Sequence, residues 1–142
     1  MIPVAEAVEK IRAAMTPTEA QVVPLSEALG RVLAADVTAR VSQPPVDVSA
    51  MDGYAVRGAD VAQVPAKLRR IGEAPAGAAF TGVVGPGEAV RIFTGGPLPA
   101  GADTVVLQEN VDAAGSDVTV REVTRVGRHV RAAGLDFASG QT

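Results

Sequence analysis

The sequence contains no cysteine and no tryptophan, and a single histidine among its 142 residues. Missing thiols exclude disulfides, thiolate metal sites and a cysteine nucleophile, a usage consistent with a cytoplasmic protein. One imidazole, His129, cannot supply a multi-histidine metal site. Aromatic residues make up 3% of the chain, with Tyr54, Phe80, Phe93 and Phe137 the whole supply, so platforms for stacking bases are scarce. A net charge of -3 offers no cationic stripe for phosphate backbones, and no nucleic acid partner is expected. No run approaches the roughly 20 apolar residues of a membrane helix, so no membrane association is expected either. The opening MIPVAEAVEKIRAAM has acids among its apolar residues and lacks the charged and then unbroken apolar regions of a signal peptide.

What remains is sufficient for a core: 47% of residues are apolar and 20% charged, in a length suited to one domain or two small lobes. Val4, Val8, Ile11 and Met15 recur at steps of four, three and four, which predicts a helix from Pro3 to Met15. Pro3 suits its first turn, and Pro17 disfavours helix at Thr16. Gln21 to Leu25 is expected to be extended. Ser26 is expected to cap a turn of helix that Gly30 closes. Arg31 to Thr38 fits either a helical turn or a strand.

Beyond residue 50 the pattern changes. Short β-prone runs at Leu68–Ile71, Ala89–Phe93, Thr104–Leu107 and Val118–Val123 alternate with Gly/Pro punctuation such as GVVGPGE and TGGPLPAGAD. The expected class is α+β and β-rich. An elongated helical and extended lobe would be built from residues 1–46 and 127–142, with a small β lobe, 47–126, inserted between them. The end at Thr142 carries no capping or turn feature that would mark a natural terminus.

Three polar clusters stand out. In QPPVDVSAMDGYAV, Pro44 and Pro45 stiffen the approach to Asp47, Ser49 and Asp52, and Gly53 permits a turn that a Cβ would hinder. These oxygens suit a hard cation such as Mg²⁺ or a polar ligand. They equally suit a hairpin turn at Asp52-Gly53 and a helix cap at Ser49, with Tyr54 and Val56 entering the core. In RIFTGGPLPAGADTVVLQE, Thr94, Gly95 and Gly96 follow a strand, where free amides could form an anion-binding nest. The stretch lacks the GK[ST] of a P-loop, and Asp103, Gln108 and Glu109 fit solvated strand ends as well. In GRHVRAAGLDFASG, Arg128 and Arg131 could neutralise a phosphate near Asp136. A Ser-His-Asp set drawn from Ser49, His129 and Asp136 lacks the G-x-S-x-G elbow that would support it.

Taken in order, PPVDVSAMDGYAV, RIFTGGPLPAGADTVVLQE and GRHVRAAGLDFASG resemble the N-terminal region of the molybdopterin molybdenumtransferase family, the MoeA proteins and their eukaryotic relatives, including the E domain of gephyrin. The resemblance covers nearly the whole chain. It implies insertion of molybdate into adenylated molybdopterin, with Mg²⁺-dependent release of AMP, by a homodimer that works with a molybdopterin-adenylating protein. It further implies that Asp52, Thr94 and Asp136 are the active polar residues, with Ser49, Gly95, Gly96 and Glu109 against the substrate and Asp52 and Asp136 on the metal. Val46 and Val48 stand where the family usually has Phe and Asn, Leu135 where an acid is common, and His129 where Asn is frequent. The family's molybdopterin-binding and C-terminal domains are absent from these residues, so the segment by itself is expected to be inactive. A noncatalytic dimerisation or scaffold module is the alternative reading.

Overall fold

The computed structural model describes residues 2–142. The chain divides into two compact units, one running to Val37 and the other Thr38–Thr142. Each is described by itself.

The first unit contains the helix α1, Val4–Ala14. Pro3 takes the capping position with extended backbone, and Met15 leaves the helix with φ -95° and ψ 135°, one residue before Thr16, which Pro17 biases away from helix. Glu6 and Lys10 pair at 2.8 Å one turn apart. The valine-rich Gln21–Leu25 stretch forms no strand; it leads into a 3-10 turn at Leu25–Glu27. Ser26 lies within that turn and does not cap it, because Pro24 holds the capping position and no side-chain cap bond forms. Gly30 does adopt a left-handed φ of 80° after it. Arg31 to Thr38 is neither helix nor strand.

The second unit is β-rich. Its strands are β1 (Val48–Ser49), β2 (Gly53–Val56), β3 (Ala66–Ala74), β4 (Glu88–Ile92), β5 (Thr104–Leu107), β6 (Val111–Ala114), β7 (Asp117–Val120) and β8 (Val130–Arg131). Six of them form one sheet in the order β5-β2-β4-β3-β7-β6. All its ladders are antiparallel except β3 with β4, a parallel pair joined by the irregular crossover 75–87. Parallel neighbours need a link of about a dozen residues or more, which this stretch supplies.

Alternation along the central strands sends side chains to opposite faces. Tyr54, Val56, Ala89, Val106, Val118 and Val120 pack in one cluster, and Ala55, Val90, Ile92 and Val105 in another. Both faces of β2 and β4 are thereby covered, so all four residues of β2 are buried. Strands covered on both sides are expected to be continuously apolar, and AVRI and TVVL nearly are.

The short β1-β8 ladder brings the ends of the second unit together. Val48 lies opposite Arg131 and Ser49 opposite Val130. Gln43 pairs with Phe137, and the Ala39 amide donates to the Gln141 carbonyl at 2.8 Å. The turn after β1 thus enters β2 from a braced position.

Candidate functional site

Asp52 and Thr94 are 42 residues apart in sequence and meet at one end of the sheet. Asp52 immediately precedes β2, and Thr94 lies two residues past the end of β4; β2 and β4 are neighbours, with Gly53 opposite Ile92. Both the backbone N–H and the hydroxyl of Thr94 donate to Asp52 Oδ1, each at 2.8 Å. Among the described residues no hydrogen bond reaches Oδ2. The two Thr94 donors, backbone first, hold the Asp52 carboxyl below the usual aspartate range, with the Arg91 charge adding to them and partial desolvation opposing. The side chain is exposed and ionised at neutral pH.

Gly53 is required by close approach. A Cβ built there would lie 2.0 Å from the Val106 carbonyl oxygen on β5, so no larger residue fits without moving a strand. Asp52-Gly53 is therefore not a hairpin turn: it is the entry to a buried strand, whose carbonyl and neighbours anchor the aspartate. Tyr54 and Val56 are core residues, as that structural reading expected.

The Thr94-Gly95-Gly96 amides do not form a free nest. Thr94 N–H is spent on Asp52, Gly95 N–H donates to the Ser49 carbonyl at 2.9 Å, and Gly96 N–H donates to the Phe93 carbonyl at 2.8 Å. Gly95 reaches this arrangement with φ 81°, and the Gly96 carbonyl in turn accepts from Ser49 N–H. Ser49 is buried rather than capping a helix, its hydroxyl donating to the Met51 carbonyl at 2.6 Å. The two glycines and Ser49 therefore lock the loop that carries Asp52.

Arg91, which the motif reading passed over, and Gln108, which it read as a solvated strand end, complete this end. Arg91 donates to the Gly53 carbonyl at 2.8 Å and to Gln108 Oε1 at 2.5 Å. Its guanidinium lies over the Phe93 ring at 4.7 Å and the Tyr54 ring at 5.4 Å. Gln108 N–H donates to the Asp52 carbonyl at 3.2 Å, and its side-chain amide donates to Glu109 Oε1 at 3.2 Å. Glu109 thus joins the site through Gln108. The alternation of β4 contained the signal for Arg91: a lone cation between Val90 and Ile92 needs partners, and Tyr54 directly opposite is one.

Asp136 belongs to a different network. Arg131 Nη2 donates to both of its carboxylate oxygens, at 2.6 and 2.8 Å. Arg131 is the β8 residue opposite Val48, so this carboxylate is tied to the β1-β8 ladder. Asp47 is likewise engaged, accepting from Ala133 N–H at 2.8 Å. No group of three or more His, Asp or Glu side chains arranged to hold a metal occurs among the described residues.

His129 has φ 60°, the left-handed region in which Asn, Asp and His are enriched among non-glycine residues. The backbone there suits the Asn that the family resemblance led us to expect, and His is a chemically reasonable replacement.

The fold has known counterparts. It superposes on the crystal structure of the molybdopterin biosynthesis moeA protein from Pyrococcus horikoshii OT3 with a TM-score of 0.84 at 35% identity, over 100% of this chain and 38% of that one. The model for "MoeA N-terminal region (domain I and II)" matches residues 2–142, and the chain belongs to that family. Molybdopterin molybdenumtransferase 2 of Mycobacterium tuberculosis (strain ATCC 25618 / H37Rv) is 43% identical over 124 residues, 84% of this chain and 31% of the relative. The molybdopterin molybdenumtransferase of Nostoc sp. (strain PCC 7120 / SAG 25.82 / UTEX 2576) is 39% identical over 126 residues, 86% of this chain and 29% of the relative. The chain spans about a third of the length of the curated relatives it matches.

Proposed function

We propose that this chain is the N-terminal part of a transferase of molybdenum cofactor biosynthesis, which inserts molybdate into adenylated molybdopterin with release of AMP. The observation that carries this reading is the Asp52-Thr94 pair: in a chain whose relatives are named molybdopterin molybdenumtransferases, an exposed carboxylate is held ionised with one oxygen unspent. Such a group serves anionic substrates only through a cation. Mg²⁺ is commonly held by one or two carboxylates together with substrate oxygens, so Asp52 Oδ2 is a sufficient protein ligand. The bound ion would polarise the bridge between phosphates.

The chain's own residues then have distinct tasks. Asp52 binds the metal, Thr94 fixes its rotamer and charge, and Gly95, Gly96 and Ser49 hold the loop rigid. Arg91, Gln108 and Glu109 present a polar edge to substrate. Asp136, neutralised by Arg131, is better suited to positioning the β1-β8 ladder than to holding a metal. The segment is inactive by itself, and homodimerisation, the remaining domains and a molybdopterin-adenylating protein complete the pathway step in the cytoplasm.

The test joins this segment to the remaining domains of a family member and measures molybdenum insertion. Asp52→Asn is expected to lower the rate at least about 100-fold, a loss typical of a positioned electrostatic group, with the fold intact. An unchanged rate would remove Asp52 from the reaction. Retained dimerisation with no insertion by the wild-type joined protein would favour the scaffold reading.

A further inference from the structure

A polar cavity of about 240 Å³ opens in the second unit, lined by Leu107, Asn110, Glu122, Thr124, Arg128 and His129 among others. None of these residues carries a role in the function proposed above. Arg128 is the cationic member of this lining. Among the described residues it forms no ion pair, as is also true of Arg31, Arg40, Arg91 and Arg125, whereas Arg12, Arg57, Arg69, Arg70, Arg121 and Arg131 each meet a carboxylate. Its one side-chain hydrogen bond runs from Nε to His129 Nε2 at 3.2 Å. Both terminal nitrogens of a permanently charged, planar fork are thereby left without a protein acceptor.

The mount is rigid. The Arg128 carbonyl accepts from Val105 N–H on β5 at 3.0 Å, and the His129 carbonyl accepts from Ala50 N–H at 2.9 Å. Because Nε2 of His129 accepts, its ring is neutral with the proton on Nδ1. Burial first, and the Arg128 charge second, hold the imidazole pKa below the ordinary histidine value, which keeps it in this acceptor state. His129 therefore aims the Arg128 fork without neutralising it. Asn110 and Thr124 add an amide and a hydroxyl to the wall, and Glu122 sets a negative limit on one side.

We propose that this cavity is an anion site, in which Arg128, oriented by His129, binds a tetrahedral oxyanion of the phosphate and molybdate class. A guanidinium fork matches two oxygens of such an ion at once. The site stands on the Arg128-His129 geometry and does not depend on the role given to Asp52.

His129 is the only histidine, so its imidazole proton resonances report on the cavity without assignment ambiguity. Sodium phosphate and, separately, sodium molybdate would be titrated into the chain at fixed pH and ionic strength. A saturable shift of the His129 resonance is expected with at least one of them. Phosphate alone would assign the site to a phosphoryl group, molybdate alone to the free metal oxyanion. Arg128→Gln should weaken binding about 10-fold or more, consistent with loss of a charge-assisted contact, and Glu122→Gln should strengthen it several-fold. Asp52→Asn should leave it unchanged, which separates this site from the transferase reading. No saturable shift with either ion, or equal affinity in Arg128→Gln, would overturn the proposal. Should Arg128→Gln fail to fold, unchanged affinity in Glu122→Gln would overturn it instead.

Discussion

The two units handle their apolar residues in opposite ways. In Thr38–Thr142, Val56, Val90, Ile92, Val105 and Val106 are fully buried, and the sheet is covered on both faces. In residues 2–37 nothing is buried, and the helix face formed by Val4, Val8, Ile11 and Met15 is between 41% and 81% exposed. The same amphipathic logic that builds a core in one unit leaves an unpartnered stripe in the other. An isolated helix of this length is marginal in water, so its stability must come from packing.

This contrast can be broken by substitution. Ile92→Ala should destabilise the second unit by about 2–5 kcal/mol, the usual cost of truncating a fully buried aliphatic residue, seen as a lower urea midpoint. A midpoint close to wild type would mean that the sheet is not the stabilising core. Thr104→Val should cost about 1–3 kcal/mol. The buried Thr104 hydroxyl donates to Asp103 Oδ1 at 2.7 Å and accepts from Gly127 N–H at 3.2 Å, and valine cannot replace either bond. Ile11→Ser should change the stability of this chain by less than about 0.5 kcal/mol, as expected of an exposed site. A loss comparable to that of Ile92→Ala would show that the helix face is already buried.

The legible parts of the fold were those governed by local pattern. The 3.6-residue period of the first helix, and the β-branched runs that became β3, β4, β5 and β7, could be read directly. β2 could not, since GYAV is short and follows a turn-like Asp-Gly; its strand character comes from pairing with β4 and β5 on both sides. β6, VDAA, has little strand propensity and is held by its ladder to β7. The two-residue β1 and β8 exist only because distant segments meet. Likewise, Asp52 and Thr94 were found as motif members, but their direct bond was not readable, nor was the internal use of the glycine amides. Those depend on the β2-β4 register, a tertiary fact.

The Asp52-Thr94 bond has a pH signature of known sign. A depressed aspartate pKa stabilises the fold above the ordinary aspartate value, and that contribution is lost as pH falls through the lower, folded value. The most direct measurement follows the Asp52 side-chain carboxyl carbon by NMR as acid is added, in wild type and in Thr94→Val. The account predicts a midpoint below the usual aspartate range in the wild type, moving upward when the Thr94 hydroxyl is removed. An ordinary midpoint that Thr94→Val leaves in place would contradict it.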